Sequence, residues 1–116
     1  MSEQRTKAII AHMLEDLADI RNFTCGISKE QFLVSALIKK AVGMSLINIG
    51  ELSRELPSEV KARYPQIPWG SITALRNRAA HGYRSLDPEI IWTIIKDDLE
   101  VLEAAMQAEQ TEKSPL

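Results

Sequence analysis

The chain has 116 residues, 45% hydrophobic and 26% charged, with a net charge of −2, which suits one soluble globular domain and excludes a disordered or multidomain chain. One cysteine and two widely separated histidines exclude a disulfide framework and paired metal-ligand spacing, and no Gly-rich phosphate or dinucleotide string occurs, so neither metal nor cofactor is expected. The longest uncharged stretch, residues 41–50, is about half a bilayer span, and the N-terminus lacks an apolar leader, so the expected location is the cytoplasm, off any membrane.

Ile9, Ile10, Met13, Leu14, Leu17 and Ile20 recur at helical spacing and predict an amphipathic helix over residues 4–21. The string NFTCGIS interrupts it. Ser28 with Gln31 is a capping-box pattern that opens the longest predicted helix, roughly 28–55. That helix is apolar on more than one face, with Leu33, Leu37, Met44 and Ile47 but also Val34, Ile38, Val42 and Ile49. It is either the centre of a bundle or half of a subunit interface. Pro57 ends it, and Ser58 opens a short helix to about residue 64. Pro65 and Pro68 bracket a turn, and Trp69 begins a helix reaching about Ala80, with Gly82 as its stop. Asp87-Pro88 pairs an N-cap with a proline at the first helical position. Ile90, Ile91, Ile94, Ile95, Leu99, Leu102 and Met106 mark the last helix. The expected fold is all-α, an antiparallel bundle of about five helices that dimerises, with one domain over 1–108 and a frayed tail over 109–116.

Charge is unevenly spread. Residues 60–86 carry Lys61, Arg63, Arg76, Arg78 and Arg84 without an acid, whereas residues 87–116 carry a net −6. The segment reads as one local anion-attracting site, or as bases paired with the acidic last helix. Within it, ALRNRAAHGYRSLD gathers three arginines, Asn77, His81 and Tyr83. Asn77 and Arg78 lie four and three residues before His81 and share its side of a helix. Arg76 lies five before it, about 140° around. Arg76 and His81 meet only if the helix ends near His81, or across a two-fold axis. Arginine offers a planar fork to phosphate oxygens, and histidine exchanges protons near neutral pH. Together they suit RNA cleavage through a 2′,3′-cyclic phosphate, with Tyr83 stacking on a base or bonding a phosphate. Plainer roles stand beside these: His81 as a helix-end residue, Arg76 paired with Glu51, Asn77 bonding a loop, and Arg78 and Arg84 solvated.

Arg76-Asn77-x-x-x-His81-x-Tyr83 resembles the R-N-x-x-x-H-x-Y form of the HEPN superfamily motif. The text from IGELSREL through RNRAAHGY, followed by DPEIIWTIIKDDL, resembles the HepT-like branch, over roughly residues 5–103. The resemblance implies a helical bundle that dimerises with the motif at the interface. It implies a metal-independent endoribonuclease, the toxin of a toxin–antitoxin pair, acting on tRNA or mRNA. Arg76 and His81 would be its catalytic pair, supported by Asn77, with Arg78 and Tyr83 on the RNA. The partner would be a minimal nucleotidyltransferase antitoxin that transfers AMP to Tyr83, adding bulk and negative charge beside Arg76 and Arg78. The alternative is a catalytically inactive helical partner subunit that binds the nucleotidyltransferase and nucleotide or RNA without cleavage. A plain dimerisation module is a third and weaker reading.

Overall fold

A computed structural model of the chain describes residues 2–80 and 87–112. Among these every regular element is helical and there is no strand. The elements are α1 (Glu3–Thr24), α2 (Lys29–Val34), α3 (Ala36–Glu55), α4 (Ser58–Ala62), α5 (Trp69–Ala80), α6 (Pro88–Thr93) and α7 (Leu99–Glu112), with a π-helical turn, Ile94–Asp98, joining the last two. The architecture is the all-α bundle that the spacing predicts. No helix among the described residues is long and apolar enough to cross a membrane.

Helix α3 is the hub, packed between α1 and α5, while α7 covers the other side of α1. The pairs Arg5–Glu55 and Asp16–Asn48 show that α1 and α3 run antiparallel. Ile10, Met13 and Ile20 of α1, Val42, Leu46 and Ile49 of α3, Ile72 of α5 and Leu102 and Met106 of α7 are essentially inaccessible to water. Removing their apolar surface from water is the main favourable term in the fold.

Three boundaries differ from the sequence expectation. The helix predicted over 28–55 is two helices. The capping box at Ser28 opens α2 as expected, with the Ser28 N–H donating to Gln31 Oε1 at 2.8 Å and the Gln31 N–H to Ser28 Oγ at 3.1 Å. The chain then turns at Ser35, where ψ is 103° and Oγ accepts the Ile38 N–H at 3.1 Å. A serine oxygen can replace the backbone acceptor that a helix interior supplies, so a second N-terminus forms inside an unbroken apolar pattern. The predicted last helix is not uniform either. The π turn, in which the Leu99 N–H bonds to the Ile94 carbonyl, interrupts it, and Ile91, Ile95, Leu99 and Leu102 are all buried. Finally, the helix expected to fray after 108 continues to Glu112. Glu109 is 0% exposed and accepts hydrogen bonds from Arg63 Nε at 3.0 Å, Arg63 Nη2 at 2.5 Å and the Tyr64 hydroxyl at 3.1 Å. A buried carboxylate held in this way ties down the last turn. Residues 113–116 lie outside the described set.

Candidate functional site

The site begins at a close helix crossing. Gly50 of α3 lies against α5 so tightly that a Cβ added to it would stand 2.7 Å from Arg76 Cβ and 3.1 Å from both the Arg76 nitrogen and the Ile72 carbonyl oxygen. Only a residue without a side chain permits that approach. The crossing fixes α5 against α3 at Arg76 and places the next residue of α3, Glu51, beside the arginine.

Arg76 Nε lies 2.9 Å from Glu51 Oε2, and Arg76 Nη1 donates to Asn77 Oδ1 at 3.1 Å. The Nε–Oε2 contact is an ion pair off the straight hydrogen-bond line, and Oε2 is shielded from solvent. Glu51 Oε1 accepts from Arg54 Nη2 at 2.5 Å. The Arg54 hydrogen bond, then the charges of Arg54 and Arg76, hold the Glu51 carboxyl below its ordinary range against a smaller opposing effect of desolvation. Glu51 is therefore ionised at neutral pH. Arg76 remains 40% exposed. A guanidinium has five N–H donors; among the described residues Asn77 accepts from one of those on Arg76, and Glu51 lies against its Nε.

A shallow depression lined by His12, Glu15, Asp16, Asn48, Glu51 and Leu52 adjoins this arrangement. Partial burial, reinforced by Asp19 and Glu15, raises the Asp16 carboxyl above its ordinary range, and the Asn48 amide at 3.4 Å lowers it in part. A second cavity, about 360 Å³ between α1, α4 and the end of α7, does not have Arg76 in its lining. It is lined by Lys7, Ile10, Val60, Arg63 and Glu109, and the Arg63 and Glu109 charges on its wall are committed to each other. Among the described residues no group of three His, Cys, Asp or Glu side chains could hold a metal ion.

The structure thus brings Arg76 and Asn77 together and puts Arg78 on the exposed last turn of α5. His81, Tyr83 and Arg84 lie outside the described residues. The plainer role weighed for Arg76, a pair with Glu51, is observed, and it leaves the outer part of the guanidinium accessible. The other plain reading, basic residues paired with the acidic last helix, holds for Arg63 through Glu109. Sequence reasoning missed Gly50. Its one signal was a glycine inside a helical pattern, which is costly in a helix and suggests a packing reason.

A short helical bundle with an arginine–asparagine pair near the end of a central hairpin is the class of protein these features define. The chain belongs to the family described as Ribonuclease HepT-like, whose pattern matches residues 13–109. It is 33% identical over 99 residues to the Methanocaldococcus jannaschii protein named "Putative RNase MJ1380", covering 85% of this chain and 91% of that one. It is 33% identical over 98 residues to the Thermococcus cleftensis protein named "Probable ribonuclease HepT", covering 81% of this chain and 89% of that one. No solved structure matches the chain significantly.

Proposed function

We propose that the protein is a metal-independent endoribonuclease toxin that cuts RNA with Arg76 and His81. The observation that carries this reading is the half-exposed Arg76 guanidinium, anchored on two sides with donors to spare, in a chain of the ribonuclease family. His81, as general base, takes the proton from a ribose 2′-hydroxyl. The 2′-oxygen attacks the adjacent phosphorus and the bond to the 5′-oxygen breaks. That oxygen takes up a proton, leaving a 2′,3′-cyclic phosphate and a 5′-hydroxyl. Arg76 supplies fixed positive charge where the phosphorane gains negative charge. Asn77 steadies Arg76, and Arg78 and Tyr83 bind RNA. A minimal nucleotidyltransferase antitoxin would silence the site by transferring AMP from ATP to the Tyr83 hydroxyl, releasing pyrophosphate. The adduct's phosphate then competes for the same guanidinium.

The working unit in this reading is a homodimer. Val34, Leu37 and Met44 are 84%, 79% and 61% exposed, large apolar side chains without cover in the single chain. Leu37, Met44 and Glu51 are spaced by seven residues, so they lie on one face of α3. The uncovered apolar surface therefore runs directly toward the Glu51–Arg76 pair. A second copy seated there would bring the two sites together, as the five-residue spacing of Arg76 and His81 requires if they act across a two-fold axis.

The test is cleavage of tRNA and a defined single-stranded RNA by purified protein, in excess EDTA, beside His81→Ala. The expected result is a loss of about 10²–10⁴-fold in the variant, with cyclic phosphate on the new 3′ ends. Protein whose mass shows no AMP on Tyr83 and which cuts no RNA would refute the nuclease reading.

A further inference from the structure

Glu51 and Arg54 are three residues apart on α3 and are therefore neighbours on its surface. Arg54 Nη2 donates to Glu51 Oε1 at 2.5 Å. Arg76, from α5, sets its Nε 2.9 Å from the other oxygen, Oε2. One carboxylate thus has a guanidinium at each oxygen, and the group carries one positive charge in excess. Two like charges held this close repel each other, and an arriving anion relieves the repulsion. Both guanidiniums face water, Arg54 at 59% exposure and Arg76 at 40%. Among the described residues Glu51 is the one polar partner of Arg54, so most of its five donors stay open. The acids of α1 lie to one side, because the depression holding Glu15 and Asp16 has Glu51 on its wall but not Arg54. Arg5 gives the contrast. It is as exposed as Arg54, at 60%, and pairs with Glu55 at 3.2 Å, but no second arginine meets Glu55 among the described residues, and that pair is neutral.

We infer that Arg54 is a second phosphate ligand of the site, taking the phosphate next to the one on Arg76 along a bound RNA strand. The inference rests on Arg76 as the phosphate ligand proposed above. Glu51 stands between the two guanidiniums and repels an anion from that space, so the arginines serve separate phosphates. Arginine suits the task because its planar fork offers donors to phosphate oxygens while one amino group stays on the carboxylate. The plainer role for Arg54 is to balance the charge of Glu51, and the two roles part once that charge is gone. A charge-balancing arginine has nothing left to do beside a neutral residue. A phosphate ligand keeps its anion.

RNA binding separates the roles without turnover. Every protein carries His81→Ala, and a fluorescent single-stranded RNA is titrated over a series of salt concentrations. Each phosphate contact on a single strand contributes about 0.7 to the slope of log K against log salt. Arg54→Ala should lower the slope by that amount, so that between about 200 and about 50 mM salt its parent gains about threefold over it. Arg54→Lys should restore the slope, since lysine keeps the charge. Arg5→Ala should leave it unchanged. In a Glu51→Gln background, Arg54→Ala should still lower the slope by the same amount. A slope unaffected by Arg54→Ala, a loss that vanishes beside Glu51→Gln, or a parent that binds no RNA overturns the inference.

Cleavage tests the nuclease reading separately. With His81 restored, Arg54→Ala should raise KM and leave kcat nearly unchanged, because a contact made equally in the ground and transition states affects binding alone. A fall in kcat at unchanged KM overturns the inference. Protein that binds RNA with the Arg54-dependent slope but never cuts it refutes the nuclease and upholds the phosphate contact.

Discussion

Replacing Gly50 by alanine adds a single carbon at the point where α3 and α5 touch. The new Cβ would stand 2.7 Å from Arg76 Cβ and 3.1 Å from two backbone atoms of α5. Ordinary carbon–carbon contact is about 3.5–4.0 Å, so the helices must part locally by about 1 Å. Two of the three obstructing atoms are backbone, and no side-chain rotation relieves them. Overpacking of this kind costs about 1–3 kcal/mol, and its upper range applies here. Alanine returns up to about 1 kcal/mol in helix propensity. The net loss is about 2 kcal/mol, which lowers Tm by roughly 8 °C or more. Gly70 supplies the control, because no atom lies within 4 Å of a Cβ placed there. Gly70→Ala should hold or raise Tm by a few degrees. Thermal unfolding followed by circular dichroism reads both. The same displacement moves Arg76, so RNA cleavage by Gly50→Ala should fall by about 10²-fold at a temperature where the variant is folded. A Gly50→Ala protein that melts at or above wild type would refute the tight crossing and the registration of Glu51 that depends on it.

Removing Arg63 takes two charge-assisted hydrogen bonds from the buried Glu109 carboxylate. Arg63→Ala should cost about 3 kcal/mol, read from urea unfolding at unchanged m-value, and a variant of wild-type stability would contradict the buried pair. The raised Asp16 carboxyl binds a proton more tightly folded than unfolded, so its ionisation works against the fold as pH rises through the acidic range. Asp16→Asn should therefore raise Tm at pH 7 and lose that advantage below about pH 4; a gain independent of pH would point to some other cause. Met44→Glu or Leu37→Glu places a charge on the exposed face of α3. Either should convert the proposed dimer to monomer in sedimentation velocity while leaving helix content unchanged, and wild type sedimenting as a monomer would refute that interface.

Local rules were sufficient for much of the chain. Apolar spacing marked α1 and α5, the Ser28–Gln31 box opened α2, and Asp87-Pro88 opened α6, because a cap or a 3.6-residue period involves only neighbours in sequence. Arg76 and Asn77 stood out as side chains that helix building does not require. Ser35 was not legible as a break, since a serine within a helix and a serine capping one look alike until the backbone turns. Nor was the π turn, because the apolar period through Ile91, Ile95, Leu99 and Leu102 runs across it unbroken. Glu109 read as part of a frayed acidic tail because its partner, Arg63, lies 46 residues away. The pair of Arg76 with Glu51 stood in the sequence as one reading among several; that it forms, and what Gly50 does, was decided by tertiary structure. Whether a carboxylate grips an arginine, and whether a glycine is a weak point or a contact, depends on which residue of another helix arrives opposite. That alignment is fixed by the packing of α3 against α5, a long-range fit that no window of sequence contains.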